Sequence, residues 1–248
     1  MMFEYRFYEC TPGRLAQEVA RMREVSIDPW PGADGGRDGE SLFDRFGIPR
    51  PLGAWTSVAG RRQPMFGYLL HWESLDERDR AFPAFWVSPE WAEVRERTND
   101  GHPMVDSIED WLLAPSAAWD RSGGFGEERH GGLHEMRIHH CRAGYDADVA
   151  DYLAEIEHRQ MEVLGGRVLG VFNVVIGPDM PAIVSFIAWP DFATQRRAAE
   201  RLDVEPRVHA RRRRWQEQYG VSLIRSVEQT LLAPLDYGLP RSNFGIAP

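Results

Sequence analysis

The chain matches itself. Residues Glu4 to Gly13 align without a gap on Glu135 to Gly144, an offset of 131 at which Glu, Arg, Cys and Gly coincide. Further along the offset is 117: Leu52-Gly53 meets Leu169-Gly170, Gly60 meets Gly177, Pro64 meets Pro181, Trp72 meets Trp189 and Pro89 meets Pro206. Near the ends Leu112-Leu113-Ala114-Pro115 matches Leu231-Leu232-Ala233-Pro234. An ordered series of Trp, Gly and Pro matches reads as two copies of one unit. Each copy is long enough to bury a small core of its own.

Each copy reads strand, helix, strand, strand, helix, strand. Phe3 to Tyr8 alternates aromatic with polar at the spacing of a strand. The turn Thr11-Pro12-Gly13 predicts a helix opening with Pro at its first position, with Leu15, Val19 and Met22 at helical spacing. Strands are expected from Gly53 to Val58 and, apolar on both faces, from Met65 to Trp72. Ser74-Leu75-Asp76-Glu77 has the form of a capping box. A break is expected near Phe82-Pro83, a helix restart at Ser88-Pro89, and a last strand from Val105 to Leu113. The order βαββαβ is the ferredoxin-like motif. Such a sheet carries helices on one face and must find cover for the other. The expected fold class is therefore α+β, two ferredoxin-like (βαββαβ) units packed sheet to sheet as an α+β barrel around a cavity. Residues 1–116 form the first unit, 117–132 a linker, 133–236 the second unit and 237–248 a tail.

Composition narrows the function. The 248 residues hold no lysine, so all 29 basic residues are arginine, which excludes Schiff-base chemistry and a phosphate-loop lysine. A net charge of -9 argues against a nucleic-acid partner. The apolar stretches are strand-sized, so no membrane partner is expected. Two cysteines and no visible secretory signal point to the cytoplasm.

Candidate site residues come from the strands. The more apolar row of the first strand, Phe3, Tyr5 and Phe7, is expected to pack on the helices. Glu4, Arg6 and Tyr8, with Glu135, Arg137 and His139 in the second copy, then point into the cavity. One reading is a structural Glu-Arg network, since buried charges must be paired. The other is an anion- or enolate-binding site, with Arg6 and Arg137 as forked donors and Tyr8 or His139 moving protons. His71 is a third catalytic candidate or a structural histidine. Trp55, Trp72 and Phe172 are candidate ligand-binding aromatics. His139-His140-Cys141 looks metal-like, but successive strand residues point to opposite faces, so no metal site is expected there. Asp28 to Pro51 is the main difference between the copies. It reads as a flexible surface loop, or a lid tipped by Trp30, and fails the spacing of a Ca²⁺ loop.

Several of these residues also carry a resemblance. Glu4-Tyr5-Arg6, Tyr8 and Pro12-Gly13, then Phe46-Gly47 with Leu52-Gly53-Ala54-Trp55, the run Trp72 to Asp79, and Pro89-Glu90-Trp91 resemble the NIPSNAP family. The resemblance covers the first copy nearly whole and the second more weakly. It implies a dimeric α+β barrel fold, whose members include cofactor-independent monooxygenases, isomerases and cyclases. The function expected is binding of a small hydrophobic or aromatic molecule, as a cofactor-independent enzyme. The alternatives are a non-catalytic binding or scaffold protein and a haem-binding protein. A homodimer is open.

Overall fold

The computed structural model describes residues 2–30, 39–119, 124–125 and 132–237. The helical and strand segments run β1 (Met2–Cys10), α1 (Leu15–Ser26), α2 (Leu42–Arg45), β2 (Gly53–Ala59), β3 (Met65–Trp72), α3 (Leu75–Trp86), α4 (Pro89–Asn99) and β4 (Val105–Pro115). They continue with β5 (Leu133–Cys141), α5 (Asp146–Tyr152), a π-helical turn (Leu153–Glu157), α6 (His158–Val163), β6 (Arg167–Ile176), β7 (Ala182–Trp189), α7 (Phe192–Asp203), α8 (Pro206–Tyr219) and β8 (Ile224–Pro234). The α+β class and the two ferredoxin-like units expected from the sequence are what the structure has. Within the first unit the strand order is β4-β1-β3-β2, and within the second β8-β5-β7-β6.

The units do not follow chain order. The first holds residues 1–57, 62–110 and 235–248, the second 58–61 and 111–234. The end of β4 therefore belongs with the second unit, where Leu113–Pro115 pair with β6. The expected tail starts inside the first unit. The Leu235 amide donates to the Ala54 carbonyl at 2.8 Å and the Tyr237 hydroxyl to the Val19 carbonyl at 2.9 Å. Residues 238–248 lie outside the described residues. Backbone pairing, more than sequence position, marks where each of these units ends.

Local chemistry explains most element ends. Gly13 adopts φ +86, a left-handed conformation that favours glycine, so α1 begins after it at Leu15 and not at Pro12. Ser74 caps α3 through the Glu77 amide. Pro83 does not break that helix; it sits in the last turn, and α3 continues to Trp86 before Ser88 caps α4.

The segment Asp28 to Pro51 is not a surface loop throughout. Ser41 and Asp44 form a reciprocal capping box at α2. Leu42, Phe43 and Ile48 are buried in the core of the first unit, and Trp30 packs against it. The glycine-rich stretch 31–38, including Asp34 and Asp38, lies outside the described residues.

The register of β1 on β3 settles which face is which. Glu4 pairs Leu70, Arg6 pairs Tyr68 and Tyr8 pairs Phe66. Tyr8, Phe66, Tyr68, Leu70 and Trp72 share a core with Met22 and Val25 of α1, Phe82 and Phe85 of α3, and Trp91 of α4. The row Glu4, Arg6, Tyr8 is thus the helix-covered face. Phe3, Tyr5 and Phe7 lie on the other, where Tyr5 meets Trp55 with ring centroids 5.9 Å apart. The sequence expectation is inverted.

Candidate functional site

The polar row of the first unit forms a hub around Glu4, whose side chain is fully buried. One carboxylate oxygen accepts from Trp72 Nε1 at 2.8 Å and Arg78 Nε at 3.2 Å. The other accepts from Arg6 Nη1 at 2.9 Å and Arg78 Nη2 at 3.0 Å. Arg6 also reaches Asp110 at 3.2 Å and lies over the Phe82 ring, 4.5 Å from its centroid. Its Nε donates to the Tyr8 hydroxyl at 3.2 Å, and that hydroxyl meets Tyr68 at 3.0 Å. Burial pushes both phenols above their ordinary range, so they stay neutral.

The second unit repeats the hub with different partners. Glu135 accepts from Trp189 Nε1 at 3.0 Å, Gln195 Nε2 at 3.2 Å, Arg137 Nη1 at 3.1 Å and Gln229 Nε2 at 3.1 Å. Gln195 stands 117 residues after Arg78, and Gln229 stands 119 after Asp110. A charged Arg and Asp are thus exchanged for two neutral amides. Compensation for Arg137 comes from Glu157, at the end of the π-helical turn, whose Oε1 accepts from Arg137 Nε at 2.8 Å and meets His139 Nε2 at 2.9 Å. Tyr152 donates to its other oxygen at 2.8 Å. Burial alone would raise the Glu157 carboxyl, but His139, Arg137 and Tyr152 outweigh it and hold it well below the usual range.

His71 stands apart from both hubs. It pairs with Phe3 in the β1–β3 register, on the face away from α3. It lines an open cleft of about 630 Å³ with Gly39, Glu40, Asp44, Gly47, Ile48, Pro49, Arg50, Glu73 and Glu77. Arg50 is held by Asp44, with Nη2 at 2.7 Å and Nε at 3.1 Å from one oxygen. Burial would raise that carboxyl, but Arg50 and Ser41 outweigh it and hold it low. His71 is half-buried, and burial lowers its pKa, with Glu73 and Glu77 acting weakly in opposition. Its neutral, proton-accepting form is therefore the populated one near pH 7.

The sequence-derived candidates fall into five places. Glu4, Arg6, Tyr8 and Trp72 belong to one hub, and Glu135, Arg137 and His139 to the other. His71 alone lines the cleft. Trp55 lies buried beside Tyr5, and Phe172 in a cluster with Trp119, Phe125 and Phe186. His139 and His140 point to different partners, Glu157 and Glu228, as strand alternation requires. Cys10 and Cys141 are buried, and burial pushes their thiols up to about 12 and about 11. Arg78, Asp110, Glu157, Arg50 and Glu77 were missed. The repeat offsets place Gln195 and Gln229 opposite Arg78 and Asp110, so the match between the copies does not mark them.

The NIPSNAP family model matches residues 42–118 and 134–238, well over half of the chain, and the chain belongs to the NIPSNAP family. The second match runs from β5 through β8, while the first begins at α2. The opening motif at Glu4-Tyr5-Arg6 is thus outside the match, and the second half fits more fully than the sequence suggested. No curated protein matches the chain in sequence. Among solved structures, a candidate monooxygenase from Fusobacterium nucleatum is similar, with 9% identity, TM-score 0.55, and 95% of this chain and 92% of that one covered. An anthrone oxidase-like protein has 10% identity and TM-score 0.56, over 94% and 91% of the two chains. A candidate monooxygenase from Lactobacillus acidophilus has 7% identity and TM-score 0.50, over 94% and 93%. At these identities the likeness is one of fold. Among the described residues no helix is long and apolar enough to cross a membrane.

Proposed function

We propose that this NIPSNAP chain binds a small molecule in the cleft of its first unit and acts on it by proton transfer, with His71 as the base. The observation that carries the reading is His71 itself: a half-buried imidazole, shifted toward its neutral form, in a cleft of about 630 Å³. That volume is in the range of small-ligand pockets. A base must present its lone pair at working pH, and burial does that here. Isomerisation, cyclisation and cofactor-independent oxygenation can each begin by removing a proton from carbon or a phenol, a step that one side chain carries.

The lining changes the expected ligand. Glu40, Asp44, Arg50, Glu73 and Glu77 outnumber the apolar Ile48 and Pro49, so the ligand carries polar groups alongside any ring. The two hubs take the structural reading. Glu4 and Glu135 each accept four hydrogen bonds from protein donors, which leaves little capacity for a substrate. We further read the two halves as copies of one unit, on the recurrence of the Glu-Arg-Trp hub, and place the protein in the cytoplasm. The test is a thermal-shift and NMR screen of hydroxylated aromatics and small amines. Compounds that stabilise the protein should shift the His71 resonance, and His71→Gln should abolish turnover of any substrate found while leaving the fold intact. Stabilising compounds that leave His71 undisturbed would remove the reading.

A further inference from the structure

The end of β5, the β6–β7 turn and β8 bring together three groups that the cleft and the hubs do not use. His140, Asp179 and Glu228 each offer a ligand atom, and these atoms all lie within 4.8 Å of one another. His140 is buried, Glu228 is partly buried and Asp179 is exposed. His140 Nδ1 faces the Asp179 carbonyl at 3.4 Å, and Nε2 faces Glu228 Oε1 at 3.2 Å.

A carbonyl only accepts, so the Nδ1 contact favours the tautomer with its proton on Nδ1. Nε2 of the neutral ring then turns a lone pair toward a carboxylate oxygen, two acceptors at 3.2 Å. A cation bound beside the two groups would satisfy both acceptors. The same arrangement, with Nδ1–H on a backbone carbonyl and Nε2 free to coordinate, orients metal-binding histidines. Ligands held about 2.0–2.2 Å from one ion lie about 3–3.5 Å from each other; His140 Nε2 and Glu228 Oε1 have that spacing at 3.2 Å, and the Asp179 carboxylate completes a set within 4.8 Å.

We propose that His140 Nε2 and the carboxylates of Asp179 and Glu228 form a binding site for a divalent transition-metal cation of the Zn²⁺, Co²⁺ or Mn²⁺ class. One imidazole with two carboxylates suits these ions better than the all-oxygen preference of Ca²⁺ or Mg²⁺. Three protein ligands leave a coordination position open to water or a small molecule. Two guanidinium groups compete. Arg61 Nη1 lies 3.0 Å from Glu228 Oε1, and Arg225 Nη2 donates to the Asp179 carbonyl at 3.2 Å. Arg61 is largely exposed and can swing into solvent, so it sets affinity without closing the site.

The test uses the untagged, chelator-treated full chain, titrated with Co²⁺ by absorption and with Zn²⁺ by calorimetry at about pH 7.5, since metal binding competes with protons for the ligands. One ion per chain is expected. His140→Gln and Glu228→Gln should each weaken binding by about tenfold or more, and Arg61→Gln should tighten it. Should His140→Gln fail to fold, Asp179→Asn on the exposed turn carries the same expectation. Absence of binding, binding untouched by the ligand variants, or weaker binding in Arg61→Gln would each overturn the site.

Discussion

The Trp72 indole donates its N–H to Glu4 at 2.8 Å, and this contact ties the end of β3 to the start of β1 in the first unit. Its counterpart, Trp189 to Glu135, spans 3.0 Å in the second. Glu4 faces two arginines, whereas Glu135 faces one arginine and two glutamines. Removing one member of a buried ion network costs about 3–5 kcal/mol, because the partners keep their charge. Glu4→Gln should therefore destabilise the protein strongly, and Glu135→Gln less, since Arg137 keeps Glu157. Urea unfolding of the two variants compares them directly; equal losses would contradict the charge argument.

The acid limb of stability should contain Glu157. Its folded-state pKa lies below the ordinary carboxylate value of 4.5. A depressed carboxylate contributes stability above its unfolded pKa and loses it as pH falls through the folded one. Stability should thus decline as the pH drops below about 4.5, and Glu157→Gln should flatten that decline while lowering stability at neutral pH. Denaturant midpoints measured across the acid range read both effects.

The insertion between α1 and β2 should behave as core. Phe43 is 1% exposed and meets Phe85 edge to face at 5.3 Å. Phe43→Ala should cost about 3–5 kcal/mol. Ser41→Ala, which removes the α2 cap, should cost about 1 kcal/mol. A mobile loop would register neither change in a thermal melt.

Both thiols should be silent in the native state. Cys10 and Cys141 are buried, with pKa values pushed to about 12 and about 11, and only the thiolate reacts. Iodoacetamide at neutral pH should label neither until denaturant is added, as intact mass measures.

These expectations show where the sequence was legible. The strand-helix order and the span of β3 could be read because alternation, caps and turns are local. The facing of β1 could not. Phe3, Tyr5 and Phe7 look like the helix-facing row by apolar count alone. What decides the matter is that Arg78 of α3 and Trp72 of β3 satisfy Glu4 from the helix side, a contact between residues far apart in the chain. Likewise nothing in Asp28 to Pro51 announced a buried helix except Ser41 and Asp44 at capping spacing. His71 was recognised as a candidate, but its cleft depends on Gly47 to Arg50 folding beside it.

The titration of His71 tests the central claim most directly. Its ring protons can be followed by NMR from acid to alkaline pH, with His71→Gln for assignment. The account predicts a midpoint below the ordinary 6.5 of histidine, because burial disfavours the imidazolium. A midpoint at or above 6.5 would mean that Glu73 and Glu77 dominate, and the cleft would then hold a cationic side chain in place of a base.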